Sequence, residues 1–491
     1  MYDKRRRATL ILAVVAAVAA CMAVVPSASA APARPAGGAR GLAAGNPWGQ
    51  AQEVPGIAAL NMGEYAEIAS VSCASAGSCS AGGAYLDGSD VAQAFVVSEV
   101  NGTWRKAEEV PGTAALSNGR GAQVNSVSCG SAGNCSAGGD YVSGYRPSGR
   151  KIFQAFVVSE VHGTWRKAEE VPGTAALNKR GDAAVTSVSC GSAGNCSAGG
   201  YYASGHHPAG GAIIRAFVVS EVHGTWRKAE EVPGTAALNK GGVAQTTSVS
   251  CASAGNCSAV GWYSGAGVSS IEQVFVVSEV HGRWRKAEEV PGTAALNKGG
   301  VAQITSVSCA SAGNCSAGGS YLGAGVSGNQ QAFVVSEVHG TWRKAEEVPG
   351  IAALTPSKFA WIVSVSCGAA GNCSAVGQYI VPHAGAFVVS EVHGRWRKAE
   401  EVPGTAALSG DLAEITSVSC ASAGSCSAGG NGFVVSEVNG TWRKAEEVPG
   451  AAALGAAAIT SVSCASAGHC SAGGNYRAGP GTDEAFVVSR K

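Results

Sequence analysis

Charge is scarce in this chain. Of its 491 residues only 14% are Asp, Glu, Lys or Arg, against roughly a quarter in an ordinary soluble domain. Bases and acids number 35 and 34, so there is none of the basic excess that nucleic-acid binding requires. Aromatic residues make up 6%, which excludes a core built on large rings and leaves Val, Ala and Ile to fill it. The apolar fraction of 46% excludes disorder. Beyond the first 25 residues no apolar run approaches the roughly 18 that a spanning helix needs. Glycine (70) and cysteine (17) are what the chain has in quantity.

The N-terminus reads as an export signal over residues 1–30. Lys4, Arg5, Arg6 and Arg7 precede the apolar stretch Ala8 to Val25, and Ala28-Ser29-Ala30 gives a small-residue cleavage site. Val18-Ala19-Ala20-Cys21 also has the form of a lipobox, which would leave a lipid anchor on Cys21. Arg5-Arg6-Arg7 is a loose match to a twin-arginine route. Cleavage removes Asp3 and four bases, so 35 and 34 become 31 and 33, a net charge of −2. It also removes Cys21 and leaves sixteen cysteines, an even set expected to be oxidised outside the cell. Residues 31–47, rich in Ala, Pro, Gly and Arg, read as a flexible lead-in.

Internal repetition dominates the rest. The cysteines fall into eight C-x5-C pairs: Cys73/Cys79, Cys129/Cys135, Cys190/Cys196, Cys251/Cys257, Cys309/Cys315, Cys367/Cys373, Cys420/Cys426 and Cys464/Cys470. The period runs from 61 residues down to 44. Each unit parses into four strands, as in ITSVSC, CSAGGSY, QAFVVSEV and TWRKAEEV, with Asn-Gly or His-Gly marking a tight hairpin between the last two. Four-stranded units of this length point to a β-propeller, an all-β fold.

The chain ends fix the blade number. Phe-Val-Val occurs eight times, and its last copy at Phe486 has no fourth strand behind it. The missing strand stands at the other end, where Trp48 to Gly56 precedes the first cysteine unit. The sequence therefore predicts eight blades over residues 48–491, the ring being closed when the N-terminal strand joins the last blade. Ser-Val-Ser-Cys on the first strand supplies small residues for the crowded axis, with serines able to bond locally. The Arg-Lys and Glu-Glu pairs read as a solvated outer rim. Each cysteine pair is expected to form a disulfide across the turn between strands one and two. Zinc is disfavoured by the five-residue spacing and by the compartment, and neither metal nor cofactor is expected.

On these motifs the chain resembles secreted bacterial repeat β-propellers of actinomycete type. The SVSC-SAG-CSAGG repeats carry that resemblance over nearly the whole mature chain, and it implies no activity. Ser98-x-x-Asn101-Gly102-Thr103-Trp104 also resembles a degenerate sialidase-type Asp-box. Val100 stands where that motif has its aspartate, and one residue of spacing is lost.

Catalytic signatures are thin. Glu108-Glu109 and its copies are adjacent on an extended strand and face opposite ways, unlike the converging acids of a glycosidase. There is no GxSxG, HExxH or phosphate loop. Five of the nine histidines (His162, His223, His281, His339 and His393) occupy the hairpin turn, where Asn101 and Asn439 replace them. His206-His207 reads as a solvated loop pair.

Variation is concentrated on one face, where strand two leads to three and four to the next one. Loops there range from the long 142–154 and 203–215 to almost nothing near Gly432. A tyrosine recurs six residues after the second cysteine, and the residue before it changes from copy to copy. Asp140, Tyr201, Trp262, Gln378 and Asn475 among these, with Trp361, are the candidate ligand-binding residues, expected at the rim of the variable face. The expected function is an extracellular binding or scaffold module, monomeric, for a glycan or a protein ligand. The alternative is a propeller glycoside hydrolase or lyase using the same face.

Overall fold

The computed structural model describes residues 48–490, apart from 208–210, 267–270, 325–328, 357–358, 382, 410–412 and 456. The expected signal, the lead-in and Cys21 lie outside the described residues.

Eight antiparallel sheets follow one another along the chain. In blade one the strands are Ala66–Ser75, Ser78–Leu86, Ala92–Val100 and an outer strand in two pieces, Thr103–Trp104 and Glu108–Glu109. Blade eight takes its outer strand from the other end of the chain. Gln52 pairs with Val487 and Glu53 with Phe486, Trp48 bridges Arg490, and Val54 N–H donates to Ala485 C=O at 2.9 Å. The ring closes as the leftover strands require, and no sheet is left short.

Two features differ from the sequence reading. The outer strand is interrupted at Arg-Lys-Ala, and Pro-Gly is followed by a single helical turn such as Thr113–Ser117 or Thr174–Leu177. The long loops of blades two and three are paired β-ribbons, continuing to Tyr145↔Lys151 and His206↔Ala212.

Side chains on strand two alternate between neighbouring blades. Ala81 and Tyr85 join a core cluster that includes Ala485 and Val487 of the preceding blade, whereas a Cβ on Gly82 would meet Val124 and Val127 of the following one. Each of the eight core clusters fills one seam between blades, with a fully buried Phe such as Phe95, Phe156 or Phe217 at its centre.

Hydrogen bonds stitch the seams. The two serines of each Ser-Val-Ser accept N–H bonds from the inner strand of the next blade, as Val127 N to Ser70 Oγ and Cys129 N to Ser72 Oγ at 3.0 Å. Sixteen such bonds of 2.9–3.3 Å form two unbroken belts around the axis. The serines thus bond across blades, where the sequence suggested local bonding. They satisfy the donors of an inner edge strand that has no strand beyond it. At the periphery, the outer-strand Ala N–H donates to the preceding blade's proline carbonyl, as Ala107 to Pro55 and, across the closure, Ala51 to Pro449.

All eight expected disulfides are present, each joining direct cross-strand partners. Their second cysteines do more than tie the turn between strands one and two. Cys135, Cys373 and Cys426 are buried, each a member of the core cluster that fills its seam. Their sulfurs lie 3.3, 3.3 and 3.5 Å from the hydroxyls of Ser80, Ser316 and Ser374 in the preceding blade. The reason is again the alternation of strand two, which turns these cysteines toward the same neighbour as the alanine two residues on. The bridges therefore pack seams as well as close turns. The hairpin turns match expectation, with Asn101 at φ 51° and Gly102 at φ 74°.

Candidate functional site

The strand alternation decides where the variable position points. The residue before the recurring tyrosine lies on the side of strand two that faces the next blade, near the face carrying the two-to-three and four-to-one links. Asp140 is buried there, and Tyr201, Trp262, Gln378 and Asn475 are half-buried. They occupy the seams between blades, one step inside the open rim the sequence suggested. Ringed around the axis, they do not converge on one pocket. Trp262 packs against the core cluster between blades four and five. Gln378 Nε2 donates to Ile415 C=O of blade seven at 3.0 Å. Trp361 lies directly across from Gln378 in the same sheet and meets Phe359 edge-on at 5.9 Å. The buried bridge sulfurs of Cys135, Cys373 and Cys426 belong to the core and stand apart from this ring of positions.

One pair is brought together. Asp140 of blade two accepts from Gln123 Nε2 at 3.0 Å and Asn125 Nδ2 at 3.2 Å. Asn125 stands at the inner-strand bulge, where most blades have Thr. It keeps that residue's bond to the next blade, to Val185 C=O at 2.8 Å, and has a second hydrogen left for Asp140. Burial pushes the Asp140 carboxyl up to about 6, against the pull of its two amide donors. The Tyr201 phenol of blade three is raised by burial and then by the charges of Asp182 and Asp140. Asp182 is bridged to Arg150 at 3.1 Å. Blade two therefore presents a buried carboxyl raised to about 6 and held by two amide donors. Such a group can accept from a hydroxyl or pair with a cation, and it does so differently at pH 5 and pH 8.

Two recurring groups were missed by sequence reasoning. The tyrosine after the variable position donates to the second acid of Glu-Glu in its own blade, as Tyr141 to Glu170 at 2.8 Å and Tyr263 to Glu289 at 2.6 Å. That acid is half-buried in blades one to five, whereas both acids of the pair are exposed in blades six and seven. Phenols in these pairs are pushed up by burial, the opposite of what a nucleophilic tyrosine needs. The glutamate of Phe-Val-Val-Ser-Glu is buried against the preceding blade, as Glu221 accepting from Ser136 at 2.9 Å and Ser159 at 2.8 Å. The sevenfold recurrence of Ser-Glu on the third strand, with Ser489-Arg490 in the eighth copy, was the available signal.

Among the described residues no cluster of three or more His, Cys, Asp or Glu is arranged to hold a metal. No helix among them is long and apolar enough to cross a membrane.

No family model matches the chain. No curated protein matches it in sequence. Solved propellers do match in shape. An ulvan lyase of polysaccharide lyase family PL25, bound to a sulfated sugar chain, is 11% identical, with 82% of this chain and 96% of that one covered at a TM-score of 0.41. YCF48 bound to D1 peptide is 10% identical, covering 80% and 93% at 0.40. The Hadza microbial sialidase Hz136 is 10% identical, covering 69% and 73% at 0.34. At these identities the likeness is one of fold.

Proposed function

We propose that this protein is a secreted recognition or scaffold module that binds a glycan or another protein outside the cell through its variable face. The observation carrying this reading is the polar cluster of Gln123, Asn125 and Asp140. It places a carboxyl raised by burial to about 6 in a seam where other blades put Ala84, Ser320 or Trp262. Protein copied so closely elsewhere spends its variation on the links of that same face. The signal-like N-terminus and the eight disulfides support an oxidising, extracellular setting.

Purified mature protein is screened against glycans and cell-wall polymers, then compared with the triple variant Asp140→Asn, Tyr201→Ala, Trp262→Ala. The reading expects a ligand whose binding is lost in the folded triple variant. Unchanged binding of every ligand found would discard the site, and hydrolysis of any polymer would move the assignment to the enzyme alternative.

A further inference from the structure

The eight seams are built to one plan, and two of them depart from it, the seam between blades four and five the more strongly. On strand two the position two residues after the buried serine faces the next blade. It is Gly in six blades, Val260 in blade four and Val376 in blade six. Glycine is required by the plan, because a Cβ on Gly82 would lie 2.9 Å from Val124 and one on Gly318 2.8 Å from Ile362. A valine there must push the next blade away.

The seams show that displacement. In the inner belt the bond from the valine N–H of Ser-Val-Ser is 2.9–3.0 Å at the six Gly seams. It is 3.2 Å at the Val260 seam and 3.3 Å at the Val376 seam. Blade four carries a second wedge on the same side, since Trp262 also packs into the seam with blade five. There both serine contacts to the buried glutamate are long, Ser258 to Glu337 at 3.4 Å and Ser278 to Glu337 at 3.3 Å. The same bonds are 2.7–2.8 Å between blades five and six.

The outer tryptophan reports the opening most clearly. Six tryptophans donate their indole N–H to the third-strand serine of the preceding blade, for example Trp165 to Ser98 at 3.3 Å and Trp396 to Ser336 at 3.1 Å. Trp342, only 6% exposed, has lost that bond, and its Nε1 is buried without a partner. Beside it lies a cleft of about 550 Å³ lined by Ser258, Ser278, Glu337, Trp342, Arg285 and Lys286, among others. It opens toward the face of the short one-to-two and three-to-four turns, away from the variable face.

We propose that this cleft is a second binding site, for a neutral, hydroxyl-rich ligand of mono- to disaccharide size. The volume is in the range of small-molecule sites. Its one unpartnered group is the Trp342 N–H, beside a carboxylate held by two long serine bonds, a set that sugar hydroxyls satisfy by both donating and accepting. Three acids (Glu279, Glu288 and Glu337) and two bases (Arg285 and Lys286) line it, so neither an anion nor a cation gains a one-signed field. The site lies on the opposite face from the one proposed above, and the two stand or fall separately.

The test titrates the intact protein with chitobiose, cellobiose and maltose at millimolar concentration, following the Trp342 indole N–H by NMR, assigned with Trp342→Phe. At least one sugar is expected to shift that resonance saturably. Val260→Gly, which restores the residue of six other blades, should weaken binding at least about tenfold, and Trp342→Phe, which lacks the reporter and is titrated by calorimetry, should reproduce the loss. Val376→Gly should leave it unchanged. No saturable shift with any of the three sugars, or Val260→Gly binding as the parent does, overturns the proposal.

Discussion

At the scale of single residues, the buried glutamates govern how the molecule responds to pH. Glu160, Glu221, Glu279, Glu337 and Glu437 are raised above the ordinary carboxylate value by burial, with their serine donors pulling the other way. A carboxyl raised on folding binds more protons in the native state than in the unfolded one. Its stabilising contribution is complete below the unfolded value, about 4.3, and is lost as pH rises through the native value. Thermal midpoints are therefore expected to rise as pH falls toward the unfolded value of about 4.3, and a midpoint falling steadily on that approach contradicts the assignment. Glu221→Ala removes the acceptor of the buried Ser136 and half-buried Ser159 hydroxyls and is expected to cost about 2–3 kcal/mol, read as a lower denaturation midpoint, with Glu221→Gln milder. These roles were hidden in the sequence because a Ser-Glu on a strand reads as half-solvated. Only the ring puts a second blade over it. Arg490 illustrates the point. It replaces the glutamate in the last copy and donates to Ser427 at 3.2 Å and Ser436 at 2.8 Å, a charge reversal that serines accommodate because a hydroxyl both donates and accepts.

At the scale of the element, the inner hairpin is the unit the chain repeats most faithfully, and its disulfide closes only a seven-residue loop. The chain-entropy estimate for such a loop is about 2 kcal/mol. Cys190→Ser with Cys196→Ser should therefore lower stability by roughly that amount without unfolding the ring, as checked by chemical denaturation. Intact mass under non-reducing conditions should show no free thiol among the sixteen paired cysteines. The hairpin was legible from the cysteine spacing. The burial of its second cysteine was not, because the spacing says nothing of the blade behind it. The helical turn after Pro-Gly was equally hidden, since four residues carry no periodicity. The ribbons of blades two and three were read as loops because Gly, Ser and Pro obscure their alternation. The candidate ligand positions were legible as a variable column, but their depth was not. Whether a strand residue meets solvent or a neighbouring sheet depends on the blade angle, which no local pattern encodes.

At the scale of the whole molecule, every belt of hydrogen bonds runs through the junction of the two chain ends. Val71 N to Ser461 Oγ and Cys73 N to Ser463 Oγ, both 2.9 Å, complete the inner belts there. Ala51 N to Pro449 C=O at 2.7 Å completes the outer one. The complementary leftovers at Trp48 and Phe486 made this topology readable before any coordinates, because a deficit at one end matched a surplus at the other. The most direct measurement uses Gln52→Cys with Val487→Cys, placed on residues paired across the closure, followed by mass spectrometry of the monomer after mild oxidation. The account predicts a ninth disulfide within one chain. Two free thiols in the monomer, or cross-links only between chains, would contradict it.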